Sequence, residues 1–269
     1  MNRTGRLLIG SLSLAAVCLS LNAQACSVAA WSASSGAIAE GSPAPGGIAR
    51  FEEICGLSVT GTGYVQDNSP TDASDTRIRL RFYVLPGAGT SDIRVLEAYA
   101  DDAATTLAFT ISFTNSSNSL SFTGAGGTPG AVVLAEPAKW QLVEVDWQAA
   151  GNLTYWVNAD ARTDTPTGST NAGTATHVGM VRLGAPQAAG FGDWTRLTFD
   201  SYHANRTLPV GGLLVGDANG GGSINSTDAT RILNEASLGG TLSIGVPDCN
   251  ASGVVNSTDA VCVLNLSSL

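Results

Sequence analysis

Oxygen-bearing side chains recur at fixed spacing in two segments near the C-terminus. The first segment runs from Asp217 to Ala229 and the second from Asp248 to Ala260, so equivalent residues lie 31 positions apart. Each segment has Asp or Asn at loop positions 1, 3, 9 and 12 and glycine at position 6. Calcium takes six to eight oxygen ligands, and a 12-residue loop wraps around it when a glycine makes the sharp turn. The spacing therefore predicts calcium binding by both segments.

The candidate ligands stand at positions 1, 3, 5, 7, 9 and 12 of each loop. They are Asp217, Asn219, Gly221, Ser223, Asn225 and Asp228 in the first loop and Asp248, Asn250, Ser252, Val254, Asn256 and Asp259 in the second. Gly221 offers no side-chain oxygen, so the first loop has one ligand fewer. Because each loop has only two carboxylates, we expect weak sites, with Kd of about 10⁻⁴ to 10⁻³ M. We expect two calcium ions, one per repeat; the alternative is a pair of glycine- and asparagine-rich turns without metal.

A helix is predicted to begin at the acidic end of each loop. Its apolar face would contain Ile232 and Leu233 in the first repeat and Val263 and Leu264 in the second. Two loop–helix units joined by a linker resemble a type I dockerin, and the resemblance covers about residues 215–269. It implies a small all-α calcium-binding module that docks a cohesin-bearing protein.

The resemblance also implies which side chains contact the partner. In the family, a Ser-Thr pair at loop positions 10 and 11 contacts the cohesin. Both repeats have this pair, as Ser226 with Thr227 and Ser257 with Thr258. The helices depart from the family further along, where Asn234 and Asn265 stand in place of frequent basic residues. Dockerin-like repeats also occur in bacteria that have no cellulosome.

The region from about residue 55 to residue 206 alternates apolar and polar residues with period two, which is typical of half-buried strands. Ile78, Leu80 and Phe82 share one face of such a strand, and arginines occupy the other face. About ten short strands separated by Gly, Asn, Asp and Ser predict an antiparallel β-sandwich or jelly roll of two packed sheets. The predicted fold is therefore mainly β, followed by the small all-α module.

Two neighbouring strands in this region carry a second resemblance. Residues 140–147 read WQLVEVDW, and residues 151–158 read GNLTYWVN. This hairpin pattern is similar to that of laminin-G and concanavalin-like jelly rolls, which implies a curved sandwich that often binds glycans or mediates adhesion.

Some concanavalin-like folds are glycosidases, and the same strand has the beginning of their carboxylate pattern. Glu144 and Asp146 are carboxylates on alternate residues of the strand, as in that pattern. Gln148 and Ala149 stand where the next glutamate would be. A retaining glycosidase needs two carboxyl groups on either side of the scissile bond. We therefore predict no catalytic residues and interpret Glu144 and Asp146 as part of a solvated polar face. The five tryptophans could form a platform for sugars, but core positions are the favoured interpretation.

The N-terminus has the pattern of a secretory signal peptide. A basic start is followed by an apolar run from Leu7 to Leu21 and by Ala23-Gln24-Ala25, which predicts cleavage after Ala25. Lipidation of Cys26 is the alternative, although Ala23 and Gln24 fit a lipobox poorly. No other segment is apolar and long enough to span a membrane.

The chain has five cysteines, and cleavage after Ala25 would remove Cys18. An exported chain that keeps the other four favours disulfides. Four cysteines allow three pairings. We favour the one that joins the cysteines nearest in sequence at each end of the chain, Cys26 with Cys55 and Cys249 with Cys262. A metal site is the weaker interpretation, since no CxxC is present.

The acidic net charge of the chain argues against some classes of binding partner. Lys and Arg number 13 against 22 Asp and Glu, for a net charge of −9, which argues against nucleic acid and against anionic membrane surfaces as partners. The predicted organisation is a signal peptide at 1–25, a sandwich at 26–207, a linker at 208–214 and the calcium module at 215–269. The favoured function is a secreted or cell-surface bacterial protein that binds glycan and docks a partner. A polysaccharide-degrading glycoside hydrolase or lyase and a structural surface protein are the alternatives.

Overall fold

The computed structural model describes residues 27–41, 49–52, 55–68, 76–187, 191, 194–238 and 242–268. Twelve strands and two α-helices form in this part of the chain, together with short 3-10 helices at Val28–Ala30 and Asn115–Ser117. The strands are β1 Ala33–Gly41, β2 Gly56–Asp67, β3 Arg77–Pro86, β4 Ile93–Tyr99, β5 Leu107–Thr114, β6 Ser119–Gly124, β7 Gly130–Val133, β8 Gln141–Gln148, β9 Asn152–Val157, β10 Gly168–Asn171, β11 Met180–Ala185 and β12 Leu197–Asn205. The helices are α1 Ser226–Leu238 and α2 Ser257–Ser267.

All twelve strands belong to one hydrogen-bonded antiparallel sheet, in the order β10-β9-β8-β3-β12-β2-β11-β4-β5-β6-β7, with β1 paired to β2. The sheet folds over so that its two halves pack face to face. Phe122 of β6 stacks on Tyr155 of β9 with ring centroids 4.1 Å apart, although these strands lie far apart in the sheet. The predicted mainly-β sandwich is confirmed, and its two layers are halves of one continuous sheet.

The alternating pattern of β3 shows how the core forms. Ile78, Leu80 and Phe82 are at most 1% exposed and pack inside the sandwich. On the other face, Arg79 and Arg81 are also buried, at 9% and 8% exposed. These two arginines are covered by later segments of the chain, a feature that strand periodicity does not reveal.

Residues 208–214, the predicted linker, supply part of that cover. The N–H of Gly211 donates to the carboxylate of Glu144 at 2.5 Å, and its carbonyl accepts from the Arg81 guanidinium at 3.0 Å. The guanidinium of Arg162 donates a hydrogen bond to the carbonyl oxygen of Gly212 at 2.7 Å. The connecting segment is therefore bonded along the outer face of β3 and β8.

The helices pack on each other around a small core of their own. Ile232 and Val263 are fully buried there, with Ala229 and Ala260 beside them at 2% exposed. Leu233 and Leu264 are 44% and 46% exposed, so the prediction that they belong to the buried face is wrong. An α-helix advances about 100° per residue, so neighbours in sequence cannot both face one narrow core.

A third cluster joins the two parts of the structure. Phe51, Tyr83 and Trp140 from the sandwich region pack with Val246, which precedes the second calcium loop. Phe51 stacks on Tyr83 with ring centroids 3.8 Å apart and meets Trp140 edge to face at 5.7 Å. The helical module therefore rests on the sandwich through an aromatic contact.

Candidate calcium-binding site

Both loops fold in the same way around their first and last aspartates. Asp217 accepts hydrogen bonds from the backbone N–H groups at loop positions 5 and 6 at 2.9 and 2.7 Å, and Asp248 does so at 2.9 and 2.6 Å. At position 12, Asp228 accepts from the N–H groups at positions 3 and 9, both at 3.0 Å. Asp259 repeats this at 3.1 and 2.9 Å. The two carboxylates of each loop are thereby held within one closed turn.

These four carboxylates are buried. Asp217 is 6% exposed, and Asp228, Asp248 and Asp259 are fully buried. None of them forms an ion pair with a basic side chain in the described part of the chain. Burial, together with the nearby charge of Asp259, raises the pKa of Asp248 to about 7. A bound cation would offset the burial of these negative charges, so this arrangement fits calcium.

The other candidate ligands lie along the loops, half-buried or exposed: Asn219, Gly221, Ser223, Asn225, Asn250, Ser252, Val254 and Asn256. The glycines at position 6, Gly222 and Gly253, have φ of +78° and +85°, as the sharp turn requires. No group of three or more His, Cys, Asp or Glu residues lies together in the described ranges. Calcium takes six to eight oxygen ligands, so amide, hydroxyl and backbone carbonyl oxygens would have to complete the coordination in each loop.

The second loop has a covalent support that the first one lacks. Cys249 and Cys262 form a disulfide with their Cα atoms 5.9 Å apart, which ties the start of the loop to α2. Asn256 caps α2 and forms a reciprocal capping box with Asp259. Asn225 and Asp228 make the equivalent two hydrogen bonds at the start of α1, so this feature is shared by both repeats. At the other end of the chain Cys55 is also disulfide-bonded, whereas its predicted partner Cys26 lies outside the described residues.

The two Ser-Thr pairs stand at the first turns of the helices. Ser226 and Thr227 are exposed on α1, and Ser257 and Thr258 are exposed on α2. The exposed leucines on the same helices, Leu233 and Leu264, are again 31 positions apart. Each helix thus presents a similar set of hydroxyl and apolar groups to solvent, because equivalent residues of the two repeats are exposed on both helices.

The carboxylates of β8 are used for bonding within the protein. Glu144 is only 2% exposed and accepts from the N–H of Ala161 at 2.7 Å, so its assignment to a solvated face is wrong. Burial raises the pKa of Glu144, and its backbone hydrogen bonds oppose that rise. Asp146 binds Arg77 and Arg79 at 2.5 and 3.1 Å. Segments distant in sequence bury this strand face.

The tryptophans lie mostly in the interior. Four of them are at most 9% exposed, which agrees with the interpretation that they occupy core positions. These four are Trp140, Trp147, Trp156 and Trp194. Trp31 is half-buried and lies beside Tyr202, with ring centroids 5.2 Å apart. A cavity of about 230 Å³ opens at this pair, lined also by Ala30, Ser32 and Asp67.

Comparison with known proteins locates the similarity in the helical module. Residues 215–266 match the family model of the dockerin type I domain, which spans both loops and nearly all of both helices. Dockerin type I domains bind calcium, in agreement with the buried carboxylates of the two loops. No curated protein matched the chain.

Solved structures resemble this chain only distantly. A Trypanosoma rangeli sialidase in complex with sialic acid has 14% identity and a TM-score of 0.43, covering 60% of this chain and 27% of that one. The botulinum neurotoxin serotype D ligand-binding domain in complex with N-acetylneuraminic acid has 7% identity and a TM-score of 0.44, covering 63% and 42%. This chain therefore spans less than half of either structure.

Proposed function

We propose that this is a secreted bacterial protein whose C-terminal module binds two calcium ions and docks a cohesin-type partner, while its sandwich binds a glycan or surface polymer. The observation that carries the proposal is the pair of loops with buried aspartates inside the dockerin type I match. One ion per loop would neutralise two carboxylates, and this neutralisation would hold each helix start in place.

The surface of the helices supports the docking part of the proposal. Leu233 and Leu264 are exposed on helices that also present the Ser-Thr pairs. Large exposed apolar side chains next to hydrogen-bonding groups are typical of protein interfaces. The two sets stand at equivalent positions of the two repeats, so a partner would meet similar side chains on either helix.

Two features support a glycan- or polymer-binding sandwich. The similarity to laminin-G and concanavalin-like folds rests on residues 140–147 and 151–158, which form the β8–β9 hairpin. The half-buried pair of Trp31 and Tyr202 offers aromatic rings beside a cavity that Ser32 and Asp67 also line. Aromatic rings with polar neighbours suit sugars, which have apolar ring faces and hydroxyl edges.

A non-catalytic sandwich is the form of the proposal that we favour over a glycosidase. Glu144 is bonded to backbone N–H groups, and Asp146 is paired with two arginines. Carboxylates held in this way are poorly placed to protonate or attack a glycosidic bond.

Export would depend on the proposed signal peptide at residues 1–25, which lies outside the described residues. Among the helices of the described ranges, none has the length and apolarity needed to cross a membrane. Export followed by cleavage after Ala25 would place the disulfides and the weak calcium sites in a compartment that is oxidising and rich in calcium.

The experiment that tests the proposal is affinity capture from the secretome of the source bacterium. The full chain is immobilised and compared in calcium and in chelator, beside a variant with Asp217→Asn and Asp248→Asn. We expect a cohesin-bearing protein to be retained only by the unaltered chain in calcium. Capture that is equal in chelator would contradict calcium-dependent docking. Retention on polysaccharide columns tests the sandwich separately.

A further inference from the structure

The two layers of the sandwich differ in what lies over their outer faces. Residues 208–214 bond along the outer face of β3 and β8. In the other layer, β2, β11, β4, β5 and β6 lie side by side, and one row of directly paired residues crosses all five strands. Val181 and Leu183, on either side of Arg182 in sequence, are buried in the core, so this row faces outward. The row consists of Gln66, Arg182, Glu97, Thr110 and Thr123.

Arg182 lies between two tyrosine rings on this outer face. Its guanidinium carbon is 4.3 Å from the ring centroid of Tyr64 on β2 and 5.5 Å from that of Tyr99 on β4. Its Nε also donates to the side-chain oxygen of Gln66 at 2.9 Å. These contacts hold the guanidinium in place before a ligand arrives, which lowers the conformational entropy that is lost on binding. The row and the two tyrosines form a surface that we call the Arg182 face.

The Arg182 face has hydrogen-bond donors that remain available. Within the described residues, the two terminal nitrogens of Arg182 and the hydroxyl of Tyr64 form no hydrogen bond. Both residues are partly exposed. The buried side-chain nitrogens and oxygens that lack a partner in the described part of the chain belong instead to Arg50, Trp140 and Ser243. Solvent, and therefore a ligand, can reach the free donors of Arg182 and Tyr64.

The charge on this face is positive, although the whole chain has a net charge of −9. Glu97 is the one carboxylate of the row, and it is 2% exposed. It accepts hydrogen bonds from Arg94 at 2.7 Å and from the hydroxyl of Tyr99 at 2.6 Å. Burial and this hydrogen bond raise the pKa of Tyr99, so its hydroxyl remains the donor. Two guanidinium groups, those of Arg94 and Arg182, therefore stand beside a single carboxylate, which leaves one positive charge for an anion.

Hydroxyl groups continue the Arg182 face across β5 and β6. Thr110 and Thr123 belong to the same row, and Ser112 and Ser121 form a neighbouring row opposite Arg94. Neighbouring strands are about 4.8 Å apart, so five strands make a surface roughly 19 Å wide. A guanidinium binds a carboxylate through two parallel hydrogen bonds. Aromatic rings and hydroxyl groups suit the apolar faces and polar edges of sugar rings. An extended chain of acidic sugars matches all of these groups.

We propose that the Arg182 face binds an acidic polysaccharide, with the carboxylate of a uronic acid residue paired to the two terminal nitrogens of Arg182 and the sugar ring beside Tyr64. The proposal rests on the proposed glycan-binding function of the sandwich, and it names the class of polymer and its site. This site shares no residue with the cavity at Trp31 and Tyr202.

The test is calorimetric titration of the full chain, in calcium, with trigalacturonate, trimannuronate and triglucuronate. Each sugar is paired with its methyl ester, which keeps the rings but has no charge. We expect at least one acidic trisaccharide to bind and its ester to bind about tenfold more weakly, because the ester cannot form charge-assisted hydrogen bonds to Arg182. Binding of the acidic sugar should also weaken as salt is added, since the guanidinium is partly exposed.

Variants of the chain test the residues that are assigned to the site. Arg182→Gln should weaken binding of the acidic sugar about tenfold, and Arg182→Lys should restore only part of it, because lysine has the charge without the paired donors. Tyr64→Phe keeps the ring beside Arg182 and should weaken binding about threefold through the loss of a hydroxyl. Arg196→Gln is the matched control, because it removes an exposed positive charge outside the Arg182 face, and it should leave the affinity unchanged.

The outcomes separate the site from the wider function. Equal affinity for an acidic sugar and its ester would overturn the role of Arg182. A triglutamate peptide is titrated in parallel, and equal affinity for it would overturn the assignment to a polysaccharide in favour of an acidic protein segment. No binding of any of the three acidic sugars would overturn the Arg182 face. Retention of the same sample on columns of neutral polysaccharide would then show that glycan binding by the sandwich still stands, and a lack of retention would count against both.

Discussion

Arg50 and Glu235 form a buried ion pair between the sandwich region and helix α1, although they are 185 positions apart in sequence. Arg50 is 1% exposed and Glu235 is 5% exposed. The second carboxylate oxygen of Glu235 accepts from the N–H groups of Leu242 and Ser243 at 3.2 and 2.8 Å. The pair therefore connects the sandwich region, the first helix and the segment that precedes the second calcium loop at one point.

Arg50→Met should destabilise the folded chain by about 3 to 5 kcal/mol, because it leaves the Glu235 carboxylate buried without its charge partner. Urea denaturation with calcium present measures this free energy of unfolding. Lys139→Met is the matched control, since its pair with Glu136 is exposed and should contribute at most about 1 kcal/mol. Equal effects of the two variants would show that the buried contact does not hold the parts together.

Calorimetric titration of the full chain should detect two calcium ions with Kd near 10⁻⁴ to 10⁻³ M. Asp217→Asn should remove about one ion, because position 1 supplies one of only two carboxylates in its loop. Asp102→Asn, at an exposed position outside the loops, is the control and should retain both ions. A single ion in the unaltered chain would contradict one ion per repeat.

Replacing Cys249 and Cys262 with serine should lower the free energy of unfolding by roughly 2 to 3 kcal/mol, as expected for opening a closed loop of about 14 residues. The effect on calcium should fall on the second loop alone, because the disulfide ties only that loop to its helix. Titration in an Asp217→Asn background isolates this site. An unchanged affinity there would mean that the disulfide stabilises the helix without organising the loop.

If a cohesin partner is captured, either helix should be able to engage it. Ser226→Ala with Thr227→Ala should then change Kd by less than about threefold, because the second Ser-Thr pair still docks. Replacing both pairs should weaken binding by about a hundredfold or more, since the hydroxyls lose their hydrogen bonds at an interface. Calorimetry of both single-pair variants and the four-residue variant decides this. Complete loss from one pair would indicate a single docking face.

Asp200 should make stability depend on pH in the acidic range. Burial raises its pKa to about 7, although backbone N–H groups of Phe51, Glu52 and Ser201 donate to it. A raised carboxyl pKa means that the folded state binds the proton more tightly, so this contribution to stability falls as pH rises from about 4 to about 7.

Asp200→Asn should remove that component, and the difference from the unaltered chain is measured by urea denaturation at several pH values in this window. The exposed Asp102→Asn variant serves as the control and should keep the original slope. A slope that is identical in Asp200→Asn would mean that the carboxyl titrates at its ordinary pKa.

The features that the sequence alone determined are local ones. Each calcium loop is a run of twelve consecutive residues, so Asp217 and Asp228 show their roles by spacing alone. The period-two pattern of Ile78, Leu80 and Phe82 likewise predicts the inner face of β3, because alternate residues of a strand share a side. The hairpin of β8 and β9 follows from two such patterns and a short turn.

What only the tertiary structure decided is which segment covers which face. Glu144 and Arg81 have the pattern of exposed residues on their strands, yet both are buried because Gly211 bonds to them from a distant part of the chain. A cavity beside Trp140 forms from residues near positions 51, 83, 140 and 250. Periodicity describes the faces of one element, whereas burial and cavities depend on long-range packing. That packing places the second calcium loop against the sandwich.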